Sequence, residues 1–272
     1  MNRIPLTDAD FKYISKLIYQ RAGIVLADNK REMVYNRLAR RVQSLSFESF
    51  TEYLRFLEIN PGNDEWQSFT NALTTNLTSF FRESHHFDVL KEHAEKSRSN
   101  YKVWSAAAST GEEPYSIAIT LSDVFSMKHD AYQIIASDID TNVLETAEKG
   151  IYKLEQVREL SQEMVHNYFL RGTGQRSGMV KVKPELASKI KFQQVNLLAN
   201  EWNVPGPFDA IFCRNVMIYF DKETQERILK RFIPLLKPGG ILFAGHSENF
   251  TQLSKDLYSK GQTVYGTLKD KK

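Results

Sequence analysis

Through residues 1–75 apolar positions recur at helical spacing, and nowhere there do they alternate as a strand requires. Thr7 and Asp10 make a capping-box pattern ahead of Phe11, Ile14, Leu17 and Ile18, and Gly23 is placed to end that helix. A second helix over 28–45 carries Val34, Leu38, Val42 and Leu45 on one stripe and Lys30, Arg37, Arg40 and Arg41 on the next. Phe50, Tyr53, Leu54 and Leu57 mark a third helix, and Trp66, Phe69 and Leu73 a fourth. From Tyr101 onward short apolar runs alternate with helical segments. The runs are 103–107, 133–137, 191–195, 210–213 and 241–244; helices follow Pro114, start at Asn142 and span 222–236. Such alternation predicts an α/β domain with a parallel sheet covered by helices. Residues 153–188 interrupt it with a helical stretch ending near Phe169. Gly172, Gly174 and Gly178, beside Met179, Val180 and Val182, then predict a small hairpin. The expected organisation is a helical domain over 1–75, a linker over 76–98 that contributes to the active site, and an α/β domain over 99–272 with a β subdomain inserted at about 153–188.

A chain of 272 residues, 42% of them hydrophobic, can bury a sizeable core, which excludes a disordered or fibrous protein. No run approaches the roughly 20 apolar residues of a membrane span, and the N-terminus lacks the apolar stretch of a signal peptide. Cys213 is the single cysteine, so no internal disulfide can form, in keeping with a reducing compartment. The expected location is the cytoplasm. A formal charge of +3 is too small to imply nucleic acid. The basic stripe Lys30, Arg37, Arg40 and Arg41 has no acids interleaved and points instead to an acidic partner.

Ligands of doubly wound sheets bind beyond the carboxyl ends of the strands. The first strand leads into Ala108, Ser109, Thr110, Gly111, Glu112, Glu113 and Pro114, a small-residue turn with a helix behind it, which suits close approach of backbone to a ligand. The second strand ends in Asp138, 27 residues past Gly111, in the manner of the acid that accepts ribose hydroxyls about 20 residues after a glycine loop. Together they point to a nucleoside cofactor without naming a reaction. Asp140 reads as a helix cap. Asn196 and Leu197 follow the third strand, and Arg214 and Asn215 the fourth, where adenine and the far end of the cofactor would be recognised.

Five segments, NALTTNLTSFFRE (71–83), VWSAAASTGEEPYSIA (103–118), ASDID (136–140), FDAIFCRNVMIYFD (208–221) and LLKPGGILFAGHSE (235–248), resemble the chemotaxis receptor methyltransferase family. The similarity runs from about Leu6 to Tyr265. It implies a Rossmann-like S-adenosylmethionine-dependent methyltransferase fold with an all-helical N-terminal domain and a small inserted β subdomain. It further implies that Asn76, Thr78, Arg82, Glu113, Asp138, Asn196, Leu197, Arg214 and Asn215 hold S-adenosylmethionine, which leaves as S-adenosylhomocysteine. Arg82 and Tyr219 are the implied catalytic residues. Lys30, Arg37, Arg40 and Arg41 are implied to meet the cytoplasmic domain of methyl-accepting chemoreceptors, and the β subdomain to bind the receptors' C-terminal peptide by strand addition. The implied reaction is formation of glutamate methyl esters. The expectation is a monomer that binds no nucleic acid and does not insert into the membrane.

Other readings weigh less. A base-methylating enzyme would place an Asn-Pro-Pro-Tyr type loop after the fourth strand, where Asn215 is followed here by Val216 and Met217. A nicotinamide oxidoreductase lacks its GxGxxG run. A module that senses the cofactor without turning it over would not need Arg82 and Tyr219. His246 reads as structural, and no metal site is expected because His85 and His86 have no third ligand in view.

Overall fold

A computed structural model of the protein describes residues 4–97, 100–125 and 131–270. The chain divides into two compact units, Met1–Thr75 with Tyr219–Thr224, and Asn76–Ile218 with Gln225–Lys272. The expected boundary at 98/99 lies outside the described residues.

The first unit contains α1 (Asp8–Ala22), α2 (Arg31–Ser44), α3 (Phe50–Ile59) and α4 (Glu65–Leu73). Thr7 Oγ accepts from the Asp10 amide and the Asp10 carboxylate accepts from the Thr7 amide, each at 3.1 Å, so the capping box is formed. Gly23 ends α1 at φ 70°. Val34, Leu38 and Val42 of α2 are fully buried, whereas Leu45, expected on the same stripe, lies past the helix end and is 40% exposed. Residues 219–224 are tied to this unit by the Val25 amide, which donates to the Tyr219 carbonyl at 2.8 Å, and by the Tyr19 hydroxyl, which donates to Asp221 at 2.6 Å.

In the second unit α5 (His85–Glu95) precedes β1 (Tyr101–Ser105), α6 (Glu112–Phe125), β2 (Tyr132–Asp138), α7 (Thr141–Lys149) and β3 (Ile151–Lys153). There follow α8 (Gln162–Tyr168), β4 (Phe169–Arg171), β5 (Met179–Val182), α9 (Pro184–Ala187) and β6 (Ile190–Gln194). The chain then forms β7 (Phe208–Cys213), α10 (Lys222–Phe232, whose first residues belong to the other unit), β8 (Leu236–Ala244), β9 (Leu257–Gly261) and β10 (Val264–Thr267). A seven-stranded sheet has the order β6-β2-β1-β7-β8-β10-β9. Its first five strands are parallel, and β10 runs antiparallel to both of its neighbours, β8 and β9. The order reverses direction at β1, which opens a crevice beyond the ends of β1 and β7. The inserted sheet, β3-β5-β4, has three strands where the glycine pattern predicts a hairpin, because Ile151–Lys153 adds an edge to β5. Sequence patterning also misses β9 and β10: Leu257–Gly261 is largely exposed and Val264–Thr267 spans four residues, too short for alternation to register.

Apolar packing holds the sheet. Trp104 of β1 meets Trp202 and Phe232 at ring distances of 5.3 and 5.0 Å, and its indole N–H donates to Ser137 Oγ at 2.9 Å. Phe212 and Phe243 stack at 4.1 Å across β7 and β8. Residues 112–122 of α6 are all buried, and its small polar residues are satisfied within the helix: Ser116 donates to the Glu112 carbonyl and Thr120 to the Ser116 carbonyl.

Gly111 has a packing role as well. Its φ is +99°, and a Cβ there would lie 2.8 Å from Ala147 Cβ and 2.7 Å from the Tyr152 hydroxyl. The glycine therefore admits α7 and Tyr152, whose hydroxyl donates to the Thr110 carbonyl at 2.8 Å. Gly111→Ala should cost about 2 kcal/mol through strain and overlap, read as a lower urea midpoint. A midpoint equal to that of the native chain would show that the contact relaxes freely.

Candidate active site at the carboxyl ends of the parallel strands

Residue 138 ends β2 and residue 109 lies in the turn after β1, and their adjacency builds the first half of the site. Asp138 is buried; one carboxylate oxygen accepts the Ser109 amide at 2.9 Å and the other the Asp140 amide at 3.0 Å. Burial pushes this carboxyl up to about 6, against the pull of these amides and with the Asp140 charge adding to it. Ser109 holds a left-handed backbone at φ 49° and its hydroxyl donates to the Asn76 carbonyl at 3.1 Å. The Asn76 side-chain amide donates to Asp140 at 2.9 Å, while Asp140 caps α7 by accepting from the Asn142 amide, as expected. The Asp138 carbonyl accepts from the Val195 amide at 3.0 Å, which brings Asn196 and Leu197 alongside. Asn196 shapes its own turn by accepting from the Leu198 amide at 2.9 Å. Asn76, Asp138, Asn196 and Leu197 are thus brought together.

The second half is a buried ion network around Arg214, at the end of β7. Its guanidinium lies 3.0 Å from Glu113 Oε2 and 3.4 Å from Glu83 Oε2, and it also donates to the Arg82 carbonyl. Ser105 donates to the other Glu113 oxygen at 2.7 Å. Burial raises the Glu113 carboxyl despite the neighbouring Arg214. At Glu83 burial pulls the same way, but Arg214 and hydrogen bonds from His246 and Asn215 prevail and hold the carboxyl down at about 2. The segment carrying Arg82 is anchored by two aromatics. Phe80 packs on Tyr152 and Phe169 at 5.0 and 5.6 Å, and the Phe81 amide donates to Ser116 Oγ at 2.9 Å. Phe81 and Glu83 take positive φ values of 51° and 56°. The Arg82 guanidinium turns back to donate to the Leu77 carbonyl at 2.9 Å, and half-buried Thr78 follows that residue.

Asn215 has φ 58°, and its amide donates to Glu248 at 3.0 Å. Glu83, Ser109 and Glu248 belong to this arrangement but were not singled out in the sequence. Glu83 and Glu248 close two of the quoted segments as acids following apolar runs, a signal available but undirected.

Other singled-out residues lie in the helical unit. Tyr219 is half-buried within the stretch that joins that unit. Of the basic stripe, Arg41 is bound to buried Glu65, which also accepts from the Tyr53 hydroxyl at 2.9 Å. Arg37 donates to the Thr74 and Ala72 carbonyls beyond α4. Lys30 and Arg40 are exposed. The stripe is therefore part fastening and part surface, since the acid that engages Arg41 is distant in sequence.

Folding also brings Glu83 beside His85 and His86, with one ligand atom from each lying within 4.8 Å of the others, a third donor the sequence did not reveal. Arg214 already neutralises that carboxylate, which opposes a cation there. His86 is fully buried, and its Nε2 lies 2.9 Å from the Gln262 carbonyl. His246 is 69% exposed on its side chain with Nδ1 3.2 Å from Glu83.

A crevice of this topology, with a buried acid ending β2 and a buried arginine after β7, suits a nucleoside cofactor and leaves the reaction to be named by kinship. Residues 76–265 match the family described as CheR methyltransferase, SAM binding domain, and residues 9–74 the one described as CheR methyltransferase, all-alpha domain. The chain belongs to the CheR methyltransferase family. It is 65% identical to a chemotaxis protein methyltransferase of Klebsiella aerogenes over 99% of this chain and 93% of that protein. Proteins of the same name from Salmonella typhimurium and Escherichia coli are 61% and 59% identical, over 99% and 98% of this chain and 93% and 94% of theirs. No helix among the described residues is long and apolar enough to cross a membrane.

The residues present fit S-adenosylmethionine. The Asp138 carboxylate ends β2 as an acceptor-only group of the kind that takes a ribose hydroxyl, and Arg214 Nε is buried with no hydrogen-bond partner.

Burial, with Arg214 nearby, lowers the His86 imidazole to about 4. Its folded value lies below the ordinary 6.5, so between about pH 6.5 and 4 the unfolded chain binds a proton the folded chain refuses. Stability from this histidine is full above 6.5 and declines as pH falls toward 4. Unfolding free energy should therefore drop more steeply from pH 7 to 5 in the native chain than in His86→Asn, even if the variant is weaker at pH 7. Parallel slopes would place the proton uptake elsewhere.

Proposed function

We propose that this methyltransferase esterifies glutamate side chains in the cytoplasmic domain of methyl-accepting chemoreceptors, acting as a cytoplasmic monomer in sensory adaptation. The observation that carries the reading is the engagement of the carboxylates at the strand ends. Asp138, Glu83, Glu113 and Glu248 all accept hydrogen bonds inside the protein, and burial keeps His86 neutral while its Nε2 contacts a carbonyl. Such a site suits a nucleophile that needs no base. A glutamate side chain, with an ordinary pKa of about 4.3, is already anionic at neutral pH; hydroxyl and amine nucleophiles would have to lose a proton. The names of the relatives, chemotaxis protein methyltransferases, support a methyl-transfer role in chemotaxis.

S-adenosylmethionine supplies an electrophilic methyl on a sulfonium cation. The proposed cofactor residues are Asn76, Thr78, Arg82, Glu113, Asp138, Asn196, Leu197, Arg214 and Asn215, which makes residues 76–98 a contributing segment and not a passive linker. Asp138 accepts from the ribose hydroxyls, and the network around Arg214 complements the charged amino-acid end. Arg82 releases the Leu77 carbonyl to hold the incoming carboxylate, and Tyr219 is the second proposed catalytic residue. Alignment and exclusion of water then carry the rate, since opposite charges cancel as the methyl moves. Lys30 and Arg40, with the accessible parts of Arg37 and Arg41, form the receptor-facing surface of the helical domain. The inserted sheet offers β4 as a free edge for a receptor C-terminal peptide, with Leu170 48% exposed on it.

Radiolabelled methyl from S-adenosylmethionine, supplied with chemoreceptor-containing membranes, should appear on receptor and be released as methanol by mild base. Base-stable label, or label on RNA, would overturn the substrate. In that assay Arg82→Ala should lose roughly 2 to 4 kcal/mol of transition-state stabilisation, comparable to removal of an oxyanion donor, with native thermal unfolding; undiminished rates would remove Arg82 from the chemistry. Arg40→Glu should raise the receptor KM, most at low salt, with cofactor affinity unchanged. An unaltered KM would dismiss the basic surface.

A further inference from the structure

Glu248 is 6% exposed and four residues past β8, yet its carboxylate serves backbone amides on two loops. Oε2 accepts from Gly245 at 2.6 Å and from Asn215 at 3.0 Å, and Oε1 accepts from Met217 at 2.8 Å. The loop after β7 is thereby tied to the loop after β8 through one side chain. These N–H groups are met by the Glu248 carboxylate, and leaving such groups buried and unmet is costly. The tie also holds an unfavourable conformation. Asn215 sits at φ 58°, and a Cβ on Gly245 would lie 2.3 Å from the Asn215 side-chain nitrogen. That nitrogen points to Glu83 Oε1 at 3.4 Å, so the orientation of the Asn215 amide follows from where Glu248 holds its backbone.

We propose that Glu248 is a positioning residue for the methyltransferase site, fixing residues 215–217 so that the Asn215 side chain presents to the cofactor. The proposal rests on the reading that Asn215 contacts S-adenosylmethionine. A carboxylate is the group required, because both of its oxygens accept. Glu248→Gln keeps the shape but turns one acceptor into an N–H₂ that faces a backbone N–H.

Calorimetric titration of S-adenosylmethionine into four full-length chains tests this: native, Glu248→Gln, Asn215→Ala and the double variant. Thermal unfolding and amide exchange are followed in each. Glu248→Gln should weaken binding on the order of tenfold, the scale of one charge-assisted hydrogen bond. Exchange should quicken at 215 and 217 while the β1 amides stay as protected as in the native chain. Asn215→Ala should weaken binding similarly, and the double variant should be no worse than Asn215→Ala alone, since both act through one contact. Native affinity in Glu248→Gln beside weakened binding in Asn215→Ala would overturn the positioning role and leave the site reading intact. Native affinity in Asn215→Ala would instead remove Asn215 from the site and the proposed route with it. Additive losses would overturn the route through Asn215.

Discussion

A guanidinium taken out of water must be paid for on the spot, and Arg214 shows how the site is organised by that demand. Its side chain is almost wholly buried, so two carboxylates are drawn to it, Glu83 at 3.4 Å and Glu113 at 3.0 Å. Glu113 lies on the first turn of α6 and Glu83 just ahead of α5, while Arg214 ends β7. One buried cation therefore joins the segment carrying Arg82 to the sheet and to the helix after β1. Its contact with the Arg82 carbonyl binds the backbone of that residue as well. Removing either carboxylate would leave a buried charge short of compensation, which is why the constraint is shared among several elements.

The remaining contacts extend the same logic to backbone groups. The turn after β1 and the loops after β7 and β8 leave amides that no strand can satisfy, and Asp138 and Glu248 supply acceptors for them. Left-handed residues Ser109 and Asn215 occur where those acceptors are engaged. Aromatic packing behind them, Trp104 on Phe232 and Phe212 on Phe243, keeps the strand ends from shifting. Rigid strands and anchored loops are what methyl transfer governed by alignment needs.

Helices with strong apolar periodicity were legible as elements, and to the residue only where a cap marks the end. Thr7, Asp10 and Gly23 bracket α1, and Asp140 caps α7, because capping uses neighbours within a few positions. Parallel strands were legible as apolar runs, since burial on both faces removes polar residues from them. Less was visible where contacts join distant positions. That Gly111 is also required by the close approach of Ala147 and Tyr152 could not be read locally. The basic stripe of α2 conceals the pairing of Arg41 with Glu65 and the capping of carbonyls by Arg37.

By itself the sequence determined the class of fold, the helical segment ahead of it, the family, and the cofactor that family binds, because periodicity, caps and contiguous motifs are local properties of the chain. Tertiary structure alone decided which acids meet Arg214, which amides Asp138 and Glu248 accept, that β9 and β10 complete the sheet, and which basic residues remain exposed. The physical reason is that burial and charge compensation are set by groups tens of residues apart. Their cost appears only once folding has excluded water and left each polar atom to find its partner.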